Sequence, residues 1–134
     1  SIQAAILNYR LTKLDQVITR RRENAQYYFE NLNNRDIKLP FEKEGEFNTY
    51  HTFVIQTEHR DELKDYLKEK NISTAIHYPI PIHLQPAASQ LGYKEGDFPI
   101  TEKQSKEILT LPIHQYLTNS DLRFVVSQVN AFFN

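Results

Sequence analysis

An α+β fold is what this 134-residue chain predicts: a small, mainly antiparallel sheet with helices packed on it, preceded by a long N-terminal helix. Three observations lead there. Residues 1–33 hold no glycine or proline and carry one apolar stripe at helical spacing. Runs rich in aromatic and β-branched residues at 47–57 and 73–78 flank a helical pattern at 60–71. A second series, helix then extended piece then helix, fills 101–133.

The stripe of the first helix is Leu7, Leu11, Leu14, Ile18, Ala25, Tyr28 and Leu32, a 4-3-4-7-3-4 spacing close to a 3.5-residue repeat. A helix over 1–33 would run about 50 Å, longer than a domain of this size is wide. Its start is therefore expected to pack against something outside these residues, and the sequence reads as a piece of a longer chain. The stripe skips at Arg20-Arg21-Arg22, expected to be a solvated face or local ion pairs with Asp15 and Glu23. Ile37-Lys38-Leu39-Pro40 reads as a short strand that a proline ends. Within 47–57, Phe47, Tyr50, Phe53, Val54 and Ile55 give the strand its character, and His51 is expected to be packed and hydrogen-bonded there. The helix at 60–71 turns Leu63, Tyr66 and Leu67 to one face, and Asn71 takes the left-handed position after its last turn. Strand, helix and strand in succession imply a small sheet covered by helices. The tail predicts a helix over 101–108, an extended piece over 109–113 and a last helix over 119–133, with Asn119 or Ser120 as cap and Leu122, Val125, Val129 and Phe132 on its apolar face.

Composition narrows the classes of function. With 16 basic against 17 acidic residues, no charge excess recommends a nucleic acid or an anionic membrane as partner. No apolar run approaches the roughly 20 residues of a membrane span, and no signal-peptide pattern opens the sequence. Cysteine is absent, which removes disulfide scaffolds, thiolate metal sites and cysteine nucleophiles. A cytoplasmic setting agrees with all of this.

The segment Thr74–Glu102 is the unusual one, holding four of the six prolines. Pro79, Pro81 and Pro86 each fix a backbone angle and remove a donor, so the chain from Tyr78 to Gln85 is stiff and largely outside any ladder. A rigid loop holds side chains at little entropic cost when a ligand binds. His77, Tyr78, His83 and Gln85 offer imidazole, phenol and amide groups suited to hydroxyls, phosphates and keto oxygens. A purely structural loop explains the same residues equally well. His77 and His83 lack a third acidic or thiol ligand for a metal, no nucleophile elbow is present, and three glycines in all leave no phosphate-binding loop.

The string Thr74-Ala75-Ile76-His77-Tyr78-Pro79-Ile80-Pro81-Ile82-His83-Leu84-Gln85-Pro86, with Leu91-Gly92-Tyr93 and Gly96-Asp97-Phe98-Pro99-Ile100-Thr101-Glu102 after it, closely resembles the C-terminal part of the DegT/DnrJ/StrS family. Ser1–Leu7, Leu14-Asp15, Arg21-Arg22, His51-x-Phe53-Val54-Ile55, Arg60–Leu63 and Leu111-Pro112-Ile113-His114 extend the likeness across the chain. The resemblance implies the small C-terminal domain, residues 1–134, of a fold-type I aminotransferase dependent on pyridoxal phosphate, with 1–33 as its interdomain helix. It further implies amino transfer from glutamate to a nucleotide-linked keto sugar, in a homodimer with active sites at the subunit interface. The cofactor's lysine and phosphate contacts belong to an upstream domain, so no lysine here is assigned a catalytic role, no cofactor is expected in this fragment, and it is expected to be inactive alone. By place in the motif, His77 and Tyr78 are the first candidates for the sugar pocket, His83 and Gln85 the second. The competing reading is a free-standing α+β ligand-binding, regulatory or dimerisation module. Such a module is expected to cap its first helix, whereas Ser1 reads as lying inside one, with Ile2, Ile6 and Leu7 seeking partners.

Overall fold

The computed structural model describes residues 1–134. Two helices open it, α1 (Ile2–Leu11) and α2 (Leu14–Asn31). There follow β1 (Phe53–Gln56), α3 (Arg60–Glu69), α4 (Pro99–Glu107), β2 (Ile108–Leu111) and α5 (Asn119–Phe132), with short 3-10 turns at Ile82–Leu84 and Pro86–Leu91.

The predicted 33-residue helix is two helices. The Thr12 hydroxyl donates to Tyr9 O at 2.7 Å, and the amides of Thr12 and Lys13 bond three residues back rather than four. A side chain that competes for helix carbonyls ends α1 there. The stripe divides at the same place. Leu7, Leu11 and Leu14 are exposed, whereas Ala25, Tyr28 and Leu32 are buried, so only the C-terminal half of α2 packs on the body. Ser1 does cap α1, its hydroxyl accepting from Ala4 N at 3.4 Å, contrary to the expectation of an uncapped start.

β1 and β2 pair antiparallel, with Phe53 opposite Leu111 and Ile55 opposite Leu109. All four side chains are buried on one face, against Tyr28, Leu63, Leu67 and the Leu122, Val125, Val126 and Val129 stripe of α5. Two isolated bridges widen the sheet, Lys38 with Gln56 and Ala75 with Thr110, both antiparallel. The predicted strands at 37–40 and 73–78 shrink to these bridges. The next pairing on one side would need an amide from Pro40 or Pro112, and a proline has none to give. The predicted strand at 47–57 keeps only its end. Asn48 Oδ1 accepts from Tyr50 N at 2.8 Å, turning the chain, and Tyr50 adopts φ +47°.

Asn71 ends the region of α3 at φ +61°, as the sequence implies. The cap of α5 is not Asn119 or Ser120 but Thr118, whose hydroxyl accepts from Asp121 N at 3.1 Å while Asp121 accepts from Thr118 N at 2.8 Å. The cap lies one residue upstream because the Thr118–Asp121 spacing satisfies two helix-end amides at once, which Asn119 cannot.

Candidate functional site

The sheet has a second face, and there Thr110 of β2 meets the proline-rich segment. Thr110 Oγ1 lies 2.9 Å from His77 Nδ1, which of the two donates following the imidazole tautomer. The other ring nitrogen, Nε2, has no hydrogen-bond partner within the chain, and His77 lines a groove of about 350 Å³ whose walls also include Arg21, His51, Thr110 and His114. No carboxylate and no lysine lines it. Imidazole and hydroxyl groups beside a guanidinium favour ligand oxygens that accept hydrogen bonds or carry negative charge.

Arg21 holds one wall of this groove, and Arg20 and Arg22 tie the same helix to neighbouring loops. The three arginines do not form a solvated face. Arg20 pairs with Glu23 at 3.2 Å, as expected from its neighbours, but also donates to Leu117 O at 2.9 Å. Arg21 donates to His51 O at 3.0 Å and Tyr50 O at 3.4 Å, fixing the groove's edge to α2. Arg22 pairs with Glu42 at 3.0 Å and lies over the Phe47 ring at 4.4 Å. Glu42 also accepts from Asn48 N and from the Tyr50 hydroxyl, at 2.6 and 2.8 Å. The hydrogen bond from Arg22, then those from Asn48 and Tyr50, hold the Glu42 carboxyl down to about 2. Burial, with Glu42 beside it, pushes the Tyr50 phenol up to about 12. His51, expected within a strand, sits before β1 with its ring exposed and Nδ1 3.5 Å from the Arg21 guanidinium.

The four residues singled out in the sequence separate into three situations. His77 lines the groove. Tyr78 follows it across a cis peptide, 71% exposed, its ring 5.5 Å from that of His77. Gln85 is exposed, with one long contact of 3.5 Å to Ile80 O. His83 is turned inward: Nε2 meets Glu102 Oε1 at 3.0 Å, and its ring lies 4.7 Å from Phe98. Glu102 was not among the predicted residues, nor were Arg21, Thr110 and His114. Arg21 and His114 stand in stretches that carry the family likeness, but nothing local marks Thr110, which only β2 brings to His77.

Pyridoxal phosphate, implied by the resemblance, requires a lysine for its aldehyde and a cradle for its phosphate. None of the nine lysines is buried, and none reaches the groove that holds His77. The residues present do not fit the cofactor's attachment.

Residues 1–130 match the model of the DegT/DnrJ/EryC1/StrS aminotransferase family. The chain is 40% identical over 131 residues to the dTDP-3-amino-3,6-dideoxy-alpha-D-galactopyranose transaminase of Aneurinibacillus thermoaerophilus, covering 98% of this chain and 36% of that protein. It is 38% identical over 135 residues to the pleiotropic regulatory protein of Geobacillus stearothermophilus, again with 98% and 36% covered. Among solved structures, S. venezuelae DesV in complex with a ketimine intermediate superposes with a TM-score of 0.94 at 35% identity, over 97% of this chain and 35% of that one. The chain thus spans about a third of the length of the relatives it matches.

Proposed function

The chain belongs to the DegT/DnrJ/EryC1/StrS aminotransferase family, and from that premise we propose that it is the small C-terminal domain of a nucleotide-sugar aminotransferase, contributing the sugar side of an active site whose cofactor is held elsewhere. The observation that carries this reading is the likeness over 98% of the chain to a protein named as a dTDP-sugar transaminase. In this reading residues 1–33 lead in from the larger domain, whose lysine holds pyridoxal phosphate and which supplies the carbonyl-to-amine chemistry. The amino donor is glutamate, the assembly is a homodimer, and the enzyme works in the cytoplasm.

The roles of this chain's own residues follow from their surroundings. His77, anchored by Thr110 at one nitrogen, presents the other to a sugar hydroxyl or keto oxygen. Tyr78 supplies an exposed ring and phenol beside it, and Gln85 an exposed amide. The His83 ring, occupied by Glu102, contributes to the wall by shaping it. Although Ser1 caps α1, as a free-standing module is expected to do, the exposed apolar side chains of α1, among them Ile2 and Leu7, and the family match over residues 1–130 favour a domain's helix over a free-standing sensor module.

The test uses the full-length chain loaded with pyridoxal phosphate. Glutamate and a panel of dTDP- and UDP-linked keto sugars are expected to give a nucleotide amino sugar and 2-oxoglutarate, read by mass spectrometry. No amine from any keto sugar with any amino donor would overturn the reading.

A further inference from the structure

α4 is inverted relative to what packing alone selects. Ile100 is 75% exposed, while Glu102, two residues on, is 7% exposed. Removing a carboxylate from water is costly unless charge and hydrogen bonds replace the solvent. Glu102 has such replacements. Gly96 N donates to both carboxylate oxygens, at 3.0 and 2.9 Å, and Phe98 N donates to Oε1 at 3.2 Å. His83 Nε2 lies 3.0 Å from the same Oε1, and both side chains of this pair are under 10% exposed, at 8% and 9%. Phe98 is the residue that opens α4, so the carboxylate also sits at the positive end of that helix.

The partners of Glu102 belong to two parts of one loop. His83 lies in its proline-rich first half, Gly96 and Phe98 at its end. Between Tyr78 and Phe98 the loop buries only Ala88 and leaves Tyr78, Ile82, Leu91 and Tyr93 exposed, so it has little core of its own. Gly96 adopts φ +97°, a conformation costly for other residues, with its amide directed at the carboxylate.

We propose that Glu102 is the positioning residue of the substrate wall: through His83, Gly96 and Phe98 it holds the Tyr78–Phe98 loop in the one arrangement that presents Tyr78 and Gln85 to a nucleotide-linked sugar. This rests on the reading of that loop as the sugar side of an aminotransferase site. Glu102 touches no substrate and acts only through the loop.

The test compares Glu102→Ala and Glu102→Gln in the full-length, cofactor-loaded enzyme. Glu102→Ala is expected to raise KM for the keto sugar about 10-fold or more, with kcat and the half-reaction with the amino donor within about 3-fold of the parent. Glu102→Gln keeps an oxygen for the Gly96 and Phe98 amides and is expected to recover part of the KM. On the same preparations, hydrogen exchange in the Glu102→Ala variant is expected to speed at the Gly96 and Phe98 amides and across 78–86, while β1 and β2 stay protected. Loosened exchange with an unchanged KM overturns the proposal, as does a joint fall of kcat and both half-reactions with protection lost in β1 and β2. If the parent enzyme makes no amino sugar, the functional reading fails by itself. The exchange data then decide about Glu102 alone, and unchanged protection at Gly96 and Phe98 overturns its role.

Discussion

His77 is tied at one nitrogen and open at the other, which makes its substitution informative. If the full-length chain is the proposed nucleotide-sugar aminotransferase, His77→Ala or Tyr78→Ala is expected to remove one hydrogen bond or stacking contact, about 1–3 kcal/mol, and lower kcat/KM for the nucleotide sugar about 5- to 150-fold. The half-reaction with glutamate is expected to suffer less, and the absorbance of the bound cofactor to stay unchanged. Equal loss in both half-reactions with a falling melting temperature would mean that these side chains only pack. Glu42 gives a second expectation at this scale. Its folded carboxyl lies at about 2, against an ordinary 4.5, because Arg22, Asn48 and Tyr50 all donate to it. A depressed carboxyl contributes stability that is present above its ordinary value and lost as pH falls through the window from 4.5 to about 2. Glu42→Gln is therefore expected to be less stable than the parent at about pH 7, with the gap narrowing toward about pH 2.5, as urea midpoints would record. A gap independent of pH would assign the loss to geometry rather than to charge.

At the scale of elements, the ends of helices decide more than their middles. α5 carries the largest share of the helical core, and it starts on the reciprocal Thr118–Asp121 pair. Thr118→Ala is expected to cost about 1 kcal/mol, measured by thermal or urea unfolding. Asn119→Ala, one residue inside, is expected to cost less, since Asn119 Oδ1 only accepts from Arg20 at 3.2 Å on the surface. Asn71 tests the end of α3: Asn71→Ala at φ +61° is expected to destabilise by about 1 kcal/mol, and Asn71→Gly to be neutral or better. Element types were legible because periodicity reports them, as with Leu63 and Leu67 in α3 or Phe53 and Ile55 in β1. Their limits were not. Thr12 breaking the first helix and Asn48 turning the chain before β1 are side-chain bonds to nearby backbone, which compete with the same residues' place in a regular element.

For the molecule as a whole, α1 and the body are energetically separate. Leu7 is 59% exposed and Leu109 fully buried. In the 134-residue chain, Leu7→Lys is expected to shift stability by no more than about 0.5 kcal/mol, whereas Leu109→Ala is expected to cost about 2–5 kcal/mol. Thermal melts of the two variants measure the contrast. If α1 joins a larger domain, Leu7→Lys is expected to become costly in the full-length chain, where its apolar face gains a partner.

The sequence by itself determined the α+β class, the buried faces of α3 and α5 and of the C-terminal half of α2, and the proline-fixed backbone angles between Tyr78 and Gln85. Each depends on spacing or on a proline ring, which are local properties of the chain. Only the tertiary structure decided that Thr110 anchors His77, that Arg21 and Arg22 bind distant loops rather than water, and that His83 faces Glu102 instead of a groove. These partners lie 19 to 33 residues apart, and no periodicity carries that information. They meet because β2 brings Thr110 to His77, α4 brings Glu102 to His83, and α2 lays Arg21 and Arg22 against the loop before β1, where a charge or hydroxyl drawn out of water must find a partner.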